Sequence, residues 1–144
     1  FDAPAGSREA FSADGWFRSG DMFEIAADAP RFYRFLGRCK DIIIRGGVKI
    51  SPDELDTLLG THPRIAEAAV TGYPDAIMGE RICAVVVPKA GESLTLGDIT
   101  QHLEELRVAR NKLPEKLVIV DALPRNPLGK VVRAAVRGLI TEDM

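Results

Sequence analysis

The sequence predicts a small α+β domain, a mixed sheet flanked by helices and preceded by a β-hairpin. Three observations carry this. Strand-like and helix-like stretches follow one another without the regular β–α alternation of a parallel-sheet fold. The run "RICAVVVP" (81–88) is apolar throughout its centre, as expected of a central, buried strand. The stretch "SPDELDTLLGTHP" (51–63) carries both start and stop signals of a helix.

Residues 1–20 are rich in Gly, Ser, Ala and Asp and read as loop. "DMFEIA" and "RFYRFL", separated by "ADAP", form a hairpin signal with a polar turn. "DIIIRGGVKIS" (41–51) reads as a second hairpin: Ile42, Ile43 and Ile44 favour strand, and Gly46-Gly47 permits a tight turn. In the helix that follows, Ser51 is the expected cap, Pro52 takes the first helical position and Glu54 completes a capping box. Leu55, Leu58 and Leu59 supply its apolar face, and Gly60 and Pro63 end it. "IAEAAVTGYP" and "RICAVVVP" read as strands. "LGDITQHLEELRVAR" (96–110) reads as an amphipathic helix with Ile99, Leu103 and Leu106 on one face. "KLVIVDALP" reads as a strand and "KVVRAAVRGLI" (130–140) as a closing helix. The expected domain boundary lies near "GRCKD", between the two hairpins.

Composition narrows the function classes. A hydrophobic fraction of 46% and a charged fraction of 28% fit a globular domain with a real core. Net charge is −2, from 19 basic and 21 acidic residues, which argues against nucleic acid as the main partner. No apolar run reaches the ~18 residues of a membrane span. Cys39 and Cys83 give neither a disulfide framework nor metal-ligand spacing, and the expected setting is the cytoplasm. The chain begins at Phe1 rather than Met and reads as a piece of something longer. His62 sits in a His-Pro turn after a helix, His102 has no paired Cys, Asp or Ser at useful spacing, and both read as structural or solvated. Gly129-Lys130 fails as a phosphate loop, because Pro124 and Val131 stand where a Gly and a hydroxyl residue are needed. Alone, Lys130 reads as a solvated charge.

Three stretches in order change that reading: "GWFRSGD" (15–21), "GRCKDIIIRGGVKIS" (37–51) and "LPRNPLGKVVR" (123–133). Together they resemble late motifs of the adenylate-forming superfamily, which includes acyl-CoA synthetases, aryl-CoA ligases, luciferases and peptide-synthetase adenylation domains. The resemblance covers nearly the whole chain and points to the C-terminal part of such an enzyme. It implies that residues 1–39 are the tail of a larger N-terminal domain, missing here, and that 40–144 form a mobile C-terminal lid. It implies nucleotide-binding roles for Asp21, whose carboxylate suits two ribose hydroxyls, and for Arg38, a permanent cation with a fork of donors. Lys40 falls at the family's hinge. Gly46 and Gly47 resemble the glycines beside which the thiol arm of CoA threads, where a missing Cβ allows close approach. Met78 and Lys112 match positions on the CoA path, and Lys49 a position that faces phosphate in one arrangement.

Lys130 resembles the catalytic lysine of adenylation, a flexible ammonium brought to the charge that grows as a carboxylate attacks the α-phosphate of ATP. Leu128 departs from the Ser or Thr that many relatives carry before the Gly-Lys, which removes a hydroxyl contact there.

The implied whole enzyme is an AMP-forming acid–thiol ligase using ATP, Mg²⁺ and CoA on a fatty or aryl acid. This chain alone is expected to hold none of these and to be inactive. Expected partners are its own N-terminal domain, the small acid and, through exposed Lys130, a lysine acetyltransferase. Two alternatives stay open: a peptide-synthetase adenylation domain serving a carrier protein, and a non-catalytic nucleotide-sensing module of the same fold.

Overall fold

The computed structural model of the chain describes residues 10–25 and 31–141. The chain divides into two compact units, Phe1–Lys40 and Asp41–Met144. In the first unit, β1 (Asp21–Ile25) pairs antiparallel with β2 (Tyr33–Arg38). Phe23 and Phe35 lie opposite each other and pack edge to face, with ring centroids 5.7 Å apart. The polar turn expected at 27–30 lies outside the described residues.

The second unit is a five-stranded mixed sheet with helices on both faces. Its strands are β3 (Ile43–Arg45), β4 (Val48–Ile50), β5 (Ile65–Asp75), β6 (Gly79–Pro88) and β7 (Lys116–Ile119). The order is β4-β3-β6-β5, and β7 runs parallel to β6 along residues 83–86. β6 is the centre, as its apolar run predicts. Ile82, Ala84 and Val86 point into one core, with Leu55, Leu59, Ile99 and Leu103. Cys83 and Val85 point into the other, with Val118, Val136 and Ile140. This period-two division explains why β6 needs apolar residues at every central position.

The helices are α1 (Pro52–Leu59), α2 (Leu96–Glu105) and α3 (Arg133–Thr141). α1 and α2 cover the first face through fully buried pairs four residues apart, Leu55/Leu59 and Ile99/Leu103. Each such side chain contributes about 1.5–3 kcal/mol on removal from water. α3 covers the second face with Val136 and Ile140. No helix among the described residues is long and apolar enough to cross a membrane.

Four local expectations are corrected. Ser51 does cap α1, accepting the Glu54 N–H, but the Glu54 carboxylate pairs with Lys112 at 2.9 Å instead of turning back to the cap. α2 stops at Glu105, and Leu106 is 42% exposed. The stop is a Schellman motif: Val108 N–H donates to Leu103 C=O, Arg107 N–H donates to Glu104 C=O, and Arg107 takes φ of 63°. β7 spans only 116–119, after which residues 121–122 bend. α3 begins at Arg133, because Val131 is held in a bridge to Arg125.

Candidate functional site

Asp21 and Arg38 face each other across the β1–β2 ladder. Arg38 Nε lies 2.9 Å from Asp21 Oδ1, an ion pair. That oxygen is buried, yet no donor is aligned to hydrogen-bond it. Ser19 supports the pair: its Oγ accepts the Asp21 N–H at 3.2 Å. A carboxylate oxygen with spare accepting capacity suits hydroxyl donors. Lys40 sits in an exposed turn as the last residue of the first unit.

Gly46 and Gly47 form the two-residue turn between β3 and β4, with φ of 55° and 81°. Both values are left-handed, which suits the twist of a tight hairpin and favours glycine. The structure brings Met78 to this turn. Gly46 N–H donates to Met78 C=O at 2.8 Å, and a Cβ on Gly46 would lie 2.8 Å from Met78 Cε. A Cβ on Gly47 would meet nothing within 4 Å, so this position faces open space. Lys49 is exposed on β4, opposite Ile44.

Sequence reasoning missed what holds this turn. Arg45 forks onto Glu115, with Nε to Oε2 at 3.0 Å and Nη2 to Oε1 at 2.8 Å. Arg81 bridges Glu115 Oε1, at 3.1 Å, and Asp75 Oδ2. Asp75 Oδ1 accepts the N–H groups of Ile77 and Met78, at 3.0 and 2.8 Å. The Arg45 hydrogen bonds hold the Glu115 carboxyl below the ordinary range, and the Met78 N–H and Arg81 do the same for Asp75. Lys112 is not part of this group. It pairs with Glu54, beside an open groove of about 530 Å³ lined by Leu58, Leu106 and Val108.

Lys130 lies in an exposed loop built largely by Asn126. Asn126 Oδ1 accepts the N–H of Leu128 at 3.0 Å and of Lys130 at 2.9 Å. Its backbone N–H donates to Lys130 C=O, and Gly129 N–H returns to Asn126 C=O, both at 2.9 Å. Arg125 donates to Gly129 C=O at 2.6 Å and pairs with Glu67 on β5. Arg133, three residues beyond the lysine, is anchored on Asp53, on Asp56 at 2.9 Å and on Val70 C=O at 2.6 Å. Burial raises the Asp56 carboxyl, against the pull of Arg133.

The two groups occupy opposite ends of one ladder. The glycine turn joins β6 where Arg45 pairs with Gly79, and Gly79 pairs with Asp75 on β5. The Lys130 loop attaches through Arg125 to Glu67, whose partner is Val87. Glu67 and Asp75 are separated by eight strand steps, about 26 Å at ~3.3 Å each. Among the described residues, no cluster of three or more His, Cys, Asp or Glu is placed to hold a metal ion.

Against known proteins, residues 54–130 match the family model of the AMP-binding enzyme C-terminal domain. The indoleacetate–CoA ligase of Aromatoleum aromaticum is 48% identical over 88% of this chain and 24% of its own length. A Streptomyces salicylyl-CoA synthase/salicylate adenylyltransferase is 40% identical over 91% of this chain and 23% of its own. The crystal structure of ATP-bound MatB from Rhodopseudomonas palustris superposes with a TM-score of 0.84 at 33% identity, over 98% of this chain and 27% of that one. The chain belongs to the AMP-binding enzyme C-terminal domain family. It spans about a quarter of the length of these relatives.

Proposed function

We propose that this chain is the lid of an AMP-forming ligase that activates a fatty or aryl acid with ATP and Mg²⁺ and passes the acyl group to CoA. The observation that carries this reading is the placement of the glycine turn and the Lys130 loop at opposite ends of the β5–β6 ladder. Groups attached to one rigid sheet at strand positions about 26 Å apart, Asp75 and Glu67, serve one reacting centre poorly in a single arrangement. They can serve it in turn if residues 41–144 rotate as a unit about Lys40.

In the first arrangement Lys130 Nζ faces the carboxylate and the α-phosphate. The carboxylate oxygen attacks phosphorus, the bond to the β-phosphate oxygen breaks and pyrophosphate leaves. Lys130 offsets the negative charge that accumulates on the oxygens in between. Asp21 accepts from the ribose hydroxyls, while Arg38 swings from Asp21 to the nucleotide, and the hydroxyls give the buried Asp21 oxygen the donors it lacks. In the second arrangement the CoA thiol passes the open side of Gly47 and attacks the acyl carbon, and AMP leaves. Lys49 turns toward phosphate there. Lys112 is offered to the CoA phosphates once released from Glu54, itself an exposed pair. Mg²⁺ would offset part of the charge of the ATP phosphates. The acid pocket belongs to the larger part of the enzyme, so this chain alone is inactive. The enzyme works in the cytoplasm, and acetylation of Lys130 by a lysine acetyltransferase would switch off adenylation by removing its charge.

The test is Lys130→Ala in the full-length protein, with pyrophosphate release measured across a panel of aryl and fatty acids. The expected loss is about 10²–10³-fold in the adenylation step. Unchanged release from an acid that the unsubstituted protein activates would sink the assignment.

A further inference from the structure

We propose that Glu115 is a positioning residue for thiol transfer: it closes a ring of polar contacts that sets the Gly46–Gly47 turn and Met78 in place. The inference rests on the reading of that turn as the thiol-facing side. The ring can be followed bond by bond. Glu115 holds Arg45, the residue before Gly46, through two parallel hydrogen bonds of 3.0 and 2.8 Å. It also holds Arg81, at 3.1 Å. Arg81 holds Asp75, and Asp75 gathers the N–H groups of Ile77 and Met78. Met78 C=O then takes the Gly46 N–H at 2.8 Å and closes the circuit.

The ring joins β3, the end of β5, the start of β6 and the entry to β7, across sequence separations of 34 and 70 residues. Nothing local could replace it. β3 meets β6 at one register pair only, Arg45 with Gly79, so the backbone ladder alone ties the turn weakly to the sheet. Glu80 Oε2 also accepts the Ile44 N–H at 2.8 Å, and the forked Arg45–Glu115 contact adds a constraint in orientation as well as distance. Side-chain exposures of 20% for Arg45 and 22% for Glu115 leave the pair only partly screened. Met78 makes the geometry matter. Its Cε lies 2.8 Å from where a Gly46 Cβ would stand, so a shift of residues 75–78 moves a methyl group against the turn. A narrow path for a thiol arm tolerates such a shift poorly.

The experiment uses Glu115→Gln in the full-length protein, with Gly47→Leu as reference. Glutamine keeps the shape, removes the charge and presents an amide NH₂ to an arginine. Amide hydrogen exchange is read at Gly46, Ile77 and Met78, with Val85 in the core as control. Both half-reactions are read with an acid that the unsubstituted protein activates: pyrophosphate release, and thioester from supplied acyl-adenylate and CoA. The expected result is faster exchange at the three ring amides and none at Val85. Thioester formation slows about tenfold, and pyrophosphate release changes by less than about twofold. Protected ring amides overturn the proposal, as does an equal fall in both half-reactions with loss of Val85 protection. If Gly47→Leu blocks thioester formation while Glu115→Gln leaves it intact, this inference alone fails. If Gly47→Leu also leaves it intact, the thiol-face reading fails first.

Discussion

The two ends of the β5–β6 ladder are built on different plans. The glycine turn is short and held from afar, by a ring of charged groups drawn from four elements. The Lys130 loop is shaped from within, where one asparagine accepts two of its amides, and is tied outward by Arg125 to Glu67, 43% exposed on both sides, and just beyond it by Arg133. Each plan matches what its end offers a substrate. At Gly47 the useful property is an absence, the open space where a side chain would be, and an empty space is useful only if its walls stay put. At Lys130 the useful property is one charge on a long stem, which finds its own position once the backbone presents it. Shape is scaffolded at long range, and charge at short range.

Breaking each end separately is the strongest test of this contrast. Gly47→Leu places a β-carbon in open space at φ of 81°, so the fold survives with a locally strained turn. In the full-length protein, adenylation should persist while thioester formation from supplied adenylate falls about 10²-fold or more. Lys130→Ala should do the reverse. Two single-turnover assays on each variant decide it, and equal losses in both steps would erase the distinction between the ends.

A smaller effect comes from Asn126→Ala. It removes the acceptor of the Leu128 and Lys130 amides but leaves the backbone closure between Asn126 and Lys130 and the Arg125 contact on Gly129. Adenylation should slow about tenfold, with thioester formation unaffected. Asn126→Ser, which keeps an acceptor oxygen, should restore part of the rate. A merely structural role would give neither the selectivity nor the rescue.

What was legible in the sequence follows the range of the interactions. α1 could be read in detail, because Ser51, Pro52, Leu55 and Leu59 act within three turns of one another. β6 could be read because burial on both faces leaves no polar position from Ile82 to Val86. The end of α2 could not: a Schellman stop normally shows itself by glycine, and here Arg107 takes the left-handed conformation at a cost of about 1–2 kcal/mol. The Glu54 capping box failed because Lys112, 58 residues on, competes for the carboxylate. The start of α3 was misplaced by the Arg125–Val131 bridge, which spends Lys130 and Val131 on loop closure. Among site residues, those in motifs stood out, whereas Glu115, Arg81 and Asp75 belong to no local pattern. Their meaning exists only once β5, β6 and the entry to β7 are adjacent.

The smallest expected effect concerns a pair outside both ends. His62 is buried, 7% exposed, and its ring meets His102 edge to face at 4.8 Å. Its Nδ1 accepts the Arg64 N–H at 3.2 Å. Burial, then the neighbouring His102 and Arg64, push its pKa below the ordinary 6.5, while Asp98 pulls weakly the other way. The fold therefore prefers the neutral ring. A depressed pKa contributes stability that is fully present above the unfolded value and is lost as pH falls from there through the folded value. Acidifying from about pH 7 to 5 should lower the melting temperature of the protein, because the unfolded ring takes up a proton more readily. Protonation at Nδ1 would also cost the Arg64 hydrogen bond. His62→Asn keeps an acceptor near that amide but cannot titrate, so its melting temperature should be lower at pH 7 yet flatter across the same window. A variant curve parallel to that of the unsubstituted protein would show that another group carries the acid sensitivity. Neither half-reaction should change at pH 7, because the pair lies against α1 and α2, away from both the glycine turn and Lys130.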